Sequence, residues 1–248
     1  LMRRCLRPLY RAVFMARRSI VIFQNDDDQE KLINLGITIR EKAILIQGSG
    51  VDIENFKPRD TSNRAFNPTP KLLFPSRIIR QKGIFEVLEA SRNLWGKGFN
   101  FELLLAGEID SGNRSSLSLI DLEELQKDPR VNFLGHVNDM PRLYSEVDLV
   151  ILPSWREGLS RALIEAAAME KPIITTDVPG CRDVIYHGYS GLLVPLKSPH
   201  SLMLAMQLLL ENQNLIFLVC IALQLLLHHH NQVRHLKKKR AVHEFFLF

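Results

Sequence analysis

The chain has 248 residues, 46% of them hydrophobic and 24% charged, with a formal net charge of +5. That length allows one large domain or one domain with additions, and the composition is ordinary for a soluble globular protein. The charge is uneven: residues 1–20 carry six arginines and no acid, and Arg234, Lys237, Lys238, Lys239 and Arg240 form a second basic run. The body between them is mildly acidic, so nucleic-acid binding by it is not expected.

Arginines interrupt Leu1 to Ile20 repeatedly, which leaves no cleavable signal peptide visible. Ser19 to Phe23 reads as a strand, and Asn25-Asp26-Asp27-Asp28 supplies N-cap chemistry for a helix ending near Asn34. These aspartates read as a helix start rather than as metal ligands. Ala43 to Ile46 is another short strand, and 47–70 is a linker heavy in Gly, Pro, Asn and Asp. The pattern then alternates. Strands are predicted near 71–75, 101–106, 131–134, 148–152, 172–176 and 191–194, and helices near 83–95, 116–127, 140–146, 160–170 and 199–211. Alternation at this spacing predicts an α/β fold, a Rossmann-like parallel sheet with helices on both faces.

Past Glu211 the chain changes character. Leu215 to Leu227 is apolar but shorter than the roughly 18–20 residues that cross a bilayer, so it suits at most a membrane-surface helix. His228-His229-His230 has no carboxylate or cysteine partner at ligand spacing. Cys5, Cys181 and Cys220 are odd in number and far apart, which points to a reducing, cytoplasmic compartment.

Two segments carry chemistry. Glu157 and Glu165 bracket E-G-L-S-R-A-L-I-E behind the apolar run Asp148 to Pro153, so the first acid sits in a strand-to-helix turn and the second on the helix. Gly158 lets the backbone approach a ligand, and the free N–H groups of the helix start favour an anion. Upstream, Arg77 and Lys82 follow the strand that ends near Phe74, at the sheet edge where open α/β sheets bind ligands. A guanidinium fork and an ammonium converging there suit a diphosphate. Trp95 reads as a packing residue. For Trp155, beside the glutamate turn, packing and a sugar-stacking platform both stand open.

Together these strings resemble family 4 glycosyltransferases, retaining enzymes of the GT-B architecture. The resemblance runs from about Ile20 to Pro199. It includes Gly48-Ser49-Gly50-Val51-Asp52 with Phe56-Lys57-Pro58, similar to the family's interdomain connector, and Leu103 to Gly107, Val131 to Gly135 and Gly191 to Pro195. Within the family, Gly107-Glu108-Ile109-Asp110 looks most like transferases that act on lipid-diphosphate-linked sugars, in lipopolysaccharide or exopolysaccharide assembly.

The resemblance implies roles. Arg77 and Lys82 would neutralise the donor diphosphate, so no metal cofactor is expected. Glu157 would face the transferred sugar, and Glu165 would accept from the ribose hydroxyls. Gly158, Leu159 and Ser160 would offer the helix-start backbone, Val137 would line the base, and Gly107 would complete the donor pocket. The expected donor is a nucleotide sugar, most similar to UDP-linked ones, and the expected acceptor a glycan or lipid-linked precursor. Basic flanks would suit peripheral contact with an anionic membrane at the inner face of the plasma membrane.

The expected organisation is 1–46 as the remnant of an acceptor domain, 47–70 as linker, 71–199 as the donor-binding domain, and 200–248 as a helix with an atypical tail. On this reading well over a hundred residues are missing in front, and the isolated chain turns over little. A non-catalytic nucleotide-sugar-binding module and a membrane-surface interaction protein stand as alternatives.

Overall fold

A computed structural model describes residues 2–48, 50–58, 69–110, 112–113, 115–117, 121, 123 and 127–212, with side chains from residue 6 onward. The helix expected near 116–127 lies largely outside the described residues. So do the apolar stretch, the histidine triplet and the last basic run of the tail.

The first element is a helix that the sequence reading did not anticipate, α1 (Met2–Phe14). Its arginines and Pro8 mask a helical signal in Leu6, Leu9, Tyr10 and Val13, spaced i, i+3, i+4 and i+7. All four are exposed. A small parallel sheet follows, pairing β1 (Val21–Phe23) with β2 (Ala43–Leu45). Between its strands runs α2 (Asp26–Asn34), which starts where expected: the Asn25 side-chain oxygen accepts from the Asp28 N–H at 2.8 Å.

The larger sheet holds β3 (Lys71–Pro75), β4 (Glu102–Ala106), β5 (Val131–Gly135), β6 (Leu149–Leu152), β7 (Ile173–Thr176) and β8 (Leu192–Val194). Its order is β5-β4-β3-β6-β7-β8, and every neighbouring pair is parallel. Leu72, Leu73, Phe74, Leu103, Leu105, Val150, Ile151, Ile173 and Ile174 are fully buried. Near-continuous apolar strands are what a sheet covered on both faces requires.

Helix α3 (Ile84–Gly96) follows β3, α4 (Met140–Glu146) precedes β6, α5 (Arg161–Ala168) links β6 to β7, and α6 (Pro199–Glu211) follows β8 and packs back on α3. The chain moves outward from β3 in one direction and from β6 in the other. Right-handed crossovers therefore put α3 and α5 on opposite faces. Tyr144 of α4 donates to the Ala162 carbonyl of α5 at 2.9 Å, which ties the second layer together. The order reverses between β3 and β6, where Leu72 lies beside Leu149. At such a switch point the carboxyl ends of the strands open a crevice for ligands. Both candidate segments leave the sheet there.

Candidate active site

After β3 the loop turns inward at Ile78 and Ile79, both buried, and outward at the exposed Arg77. A short 3₁₀ turn (Arg80–Lys82) leads to Gly83, whose φ is +82°. A Cβ at Gly83 would stand 2.3 Å from the Pro153 carbonyl oxygen. Glycine alone lets this turn press against the end of β6, and that approach brings Lys82 to the glutamate turn. Lys82 Nζ donates to Glu157 Oε1 at 2.5 Å, with the two side chains 20% and 13% exposed. An ammonium has three donors and a carboxylate two oxygens. Among the described residues, no further side-chain partner is recorded for the Lys82 ammonium or for Glu157 Oε2.

Arg77 Nη1 donates to Asp110 Oδ2 at 2.9 Å across the loops after β3 and β4. The side chain is 59% exposed. Gly107 sits beneath this loop: a Cβ there would lie 2.0 Å from the Ser76 carbonyl oxygen, so the close approach of the β4 end to the arginine loop requires glycine.

Glu165 lies on α5 and is 8% exposed. Arg161 Nε, one turn earlier, donates to its Oε1 at 2.8 Å. The Tyr144 hydroxyl lies 3.5 Å from Oε2 but has one proton, which the Ala162 carbonyl takes at 2.9 Å. Among the described residues, Oε2 has no other recorded partner. Burial holds the Glu165 carboxyl above its ordinary range, with Arg161 opposing. The same burial, with Glu165 nearby, pushes the Tyr144 phenol well up.

Ser160 takes the N-cap position of α5 with extended backbone, but its side chain makes no capping bond. Among the described residues, the N–H groups of Gly158, Leu159, Arg161 and Ala162 meet no acceptor. A helix start of this kind, next to Glu157, favours an anion. Val137 is half-buried and packs on the core beyond β5, beside the exposed His136. The described contacts therefore join Lys82 to Glu157 directly. They join Arg77, Glu165 and Val137 to other neighbours.

Trp155 is an anchor. Its backbone N–H donates to the Gln81 carbonyl at 2.8 Å, its indole N–H to Glu86 Oε1 at 2.9 Å, and the Lys197 ammonium lies 3.9 Å over its ring. The sequence reading missed contacts made by α2 and its N-cap residue. Asn25 Nδ2 donates to the Gly158 carbonyl at 2.6 Å, Asp28 pairs with Arg156 at 2.6 Å, and Asp27 lies 3.8 Å from Arg182. Their partners are so distant in sequence that no local pattern signals them.

A cleft of about 650 Å³ lies between α2 and Trp155, lined by Asp26, Asp27, Asp28, Glu30 and Arg156 among others. Its acidic wall disfavours a diphosphate. A second cavity, about 470 Å³, is lined by Arg92, Trp95, Asp128 and Arg130 at the amino end of β5, on the sheet rim opposite Lys82.

The six-stranded parallel order, reversing between β3 and β6, defines a doubly wound α/β architecture of the Rossmann type. The chain belongs to the family described as Glycosyl transferases group 1, whose model matches residues 56–216. It is 29% identical over 192 residues to the capsular polysaccharide biosynthesis glycosyltransferase CapM of Staphylococcus aureus, covering 74% of this chain and 49% of that one. It is 28% identical over 224 residues to the N,N'-diacetylbacillosaminyl-diphospho-undecaprenol alpha-1,3-N-acetylgalactosaminyltransferase of Campylobacter jejuni, covering 87% of this chain and 57% of that one. The chain thus spans about half the length of these curated relatives. Among solved structures, Anabaena HepE in complex with UDP-glucose superposes with a TM-score of 0.74 at 22% identity, over 89% of this chain and 62% of that one. That likeness bears on the fold, and the fold is the expected one.

Proposed function

We propose that this chain is the donor-binding half of a retaining glycosyltransferase. It would take a hexose or N-acetylhexosamine from a UDP-sugar toward a glycan or lipid-linked acceptor. The observation that carries the reading is the Lys82–Glu157 pair at the switch point, beside the unengaged N–H groups that open α5. Lys82 and Arg77 hold the diphosphate and stabilise the charge that grows on it as the glycosidic bond breaks. With that charge met by side chains, the transfer needs no metal. Glu157 Oε2 accepts from a hydroxyl of the moving sugar, and Glu165 Oε2 from the ribose. Gly158, Leu159 and Ser160 supply the turn, Val137 the wall of the base site, and Gly107 the packing that sets Arg77.

The relatives support the reading: one is a capsular polysaccharide biosynthesis glycosyltransferase, the other an N-acetylgalactosaminyltransferase acting on a diphospho-undecaprenol-linked sugar. Peripheral contact with an anionic membrane is proposed on Arg7, Arg11, Arg17 and Arg18 around the exposed apolar stripe of α1. Calorimetric titration with UDP in the presence of EDTA tests the donor site. Binding that Lys82→Ala weakens at least tenfold supports it, and no binding at millimolar UDP overturns it.

A further inference from the structure

The glutamate turn is held from outside its own sheet. Asn25 is 2% exposed and uses both ends of its carboxamide. Its Oδ1 accepts from the Asp28 N–H at 2.8 Å, and its Nδ2 donates to the Gly158 carbonyl at 2.6 Å, with Asp28 Oδ2 at 3.3 Å from the same nitrogen. The rest of this grip is weaker. The Asp28–Arg156 and Asp27–Arg182 pairs carry side chains up to 65% and 52% exposed, where ion pairs contribute little. The buried asparagine is the contact that fixes direction.

The peptide unit between Gly158 and Leu159 is planar and trans, so its C=O and N–H point opposite ways. Holding the Gly158 carbonyl toward Asn25 aims the Leu159 N–H away from α2. That N–H has no acceptor among the described residues. Gln24 closes on Gly158 from the same side: a Cβ at Gly158 would lie 2.2 Å from Gln24 Oε1. The Leu159 side chain rests against Gly48, where a Cβ would lie 2.4 Å from its Cδ2. Both sides of this one peptide are gripped by residues that precede the six-stranded sheet, Gln24 and Asn25 on one and Gly48 on the other.

We propose that Asn25 is a positioning residue for the Gly158–Leu159 peptide, and that it aims the Leu159 N–H at the diphosphate or sugar of the donor. The proposal deepens the donor-binding reading and rests on it. Asparagine suits the task because one side chain holds both the acceptor that caps α2 and a donor long enough to reach the carbonyl. Serine also caps helices but is too short to make the second contact.

The test uses the 248-residue chain and its Asn25→Ser and Asn25→Ala variants, each titrated with UDP-glucose and with uridine and melted thermally. Asn25→Ser keeps the cap and should melt above Asn25→Ala. Both should nonetheless raise the UDP-glucose dissociation constant by about fivefold to tenfold, the scale of one net hydrogen bond. Uridine, which lacks the diphosphate and the sugar, should bind each variant as it binds the parent. Unchanged UDP-glucose affinity in Asn25→Ser overturns the proposal, as does a loss that uridine shares. A parent chain that fails to bind UDP-glucose removes the donor-binding reading first. Parent binding with an indifferent Asn25→Ser removes this proposal alone.

Discussion

Lys82 and Glu157 are 75 positions apart in sequence, yet the lysine ammonium rests on the glutamate carboxylate, with both side chains largely out of solvent. The pair bridges the loop after β3 to the turn after β6. Lys82→Ala leaves Glu157 half-desolvated and unpaired. It should lower unfolding stability by about 1–3 kcal/mol in a urea titration at neutral pH, the scale of an unsatisfied buried group. Lys82→Ala combined with Glu157→Gln should recover part of that loss.

Gly83 enforces this pairing. Alanine there must adopt a left-handed φ and sets its Cβ against the Pro153 carbonyl. Gly83→Ala should therefore cost roughly 2–4 kcal/mol, combining backbone strain with overpacking. A thermal melt of the variant checks this, and a melting temperature equal to the parent's would show that the turn can relax.

Glu165 makes a prediction with a definite sign. Burial raises its folded pKa above the unfolded value, so over that interval the native state binds more protons than the unfolded chain. Its contribution to stability is then fully present below the unfolded carboxylate pKa and is lost as pH rises through the folded pKa. Glu165→Gln removes this term. The stability of the variant relative to the parent should rise as pH climbs out of the carboxylate range and level off above it, measured by urea unfolding at several pH values. A difference that is flat with pH would show that Arg161 cancels the burial.

Arg77 and Asp110 form an exposed pair, and Asp110→Ala should change stability by less than about 0.5 kcal/mol in the same assay.

Most of the sheet was legible because its strands are continuous apolar runs such as Leu72-Leu73-Phe74 and Val150-Ile151, each followed by a helix with a readable start. The glutamate turn and the basic loop were legible as strings of unusual residue types placed after strands. What the sequence could not show were contacts between distant loops. Trp155 gave no local sign that Glu86, Gln81 and Lys197 would hold it, and Asn25 read as a cap without its second partner, Gly158. Helix α1 was hidden because its polar face is dense in arginine and Pro8 stands inside it.

The most direct test is a crystal structure of the chain grown with UDP. The account predicts the diphosphate between Lys82, Arg77 and the opening turn of α5, with the ribose hydroxyls at Glu165. Diphosphate density in the cavity lined by Arg92 and Arg130, on the opposite rim of the sheet, would contradict it.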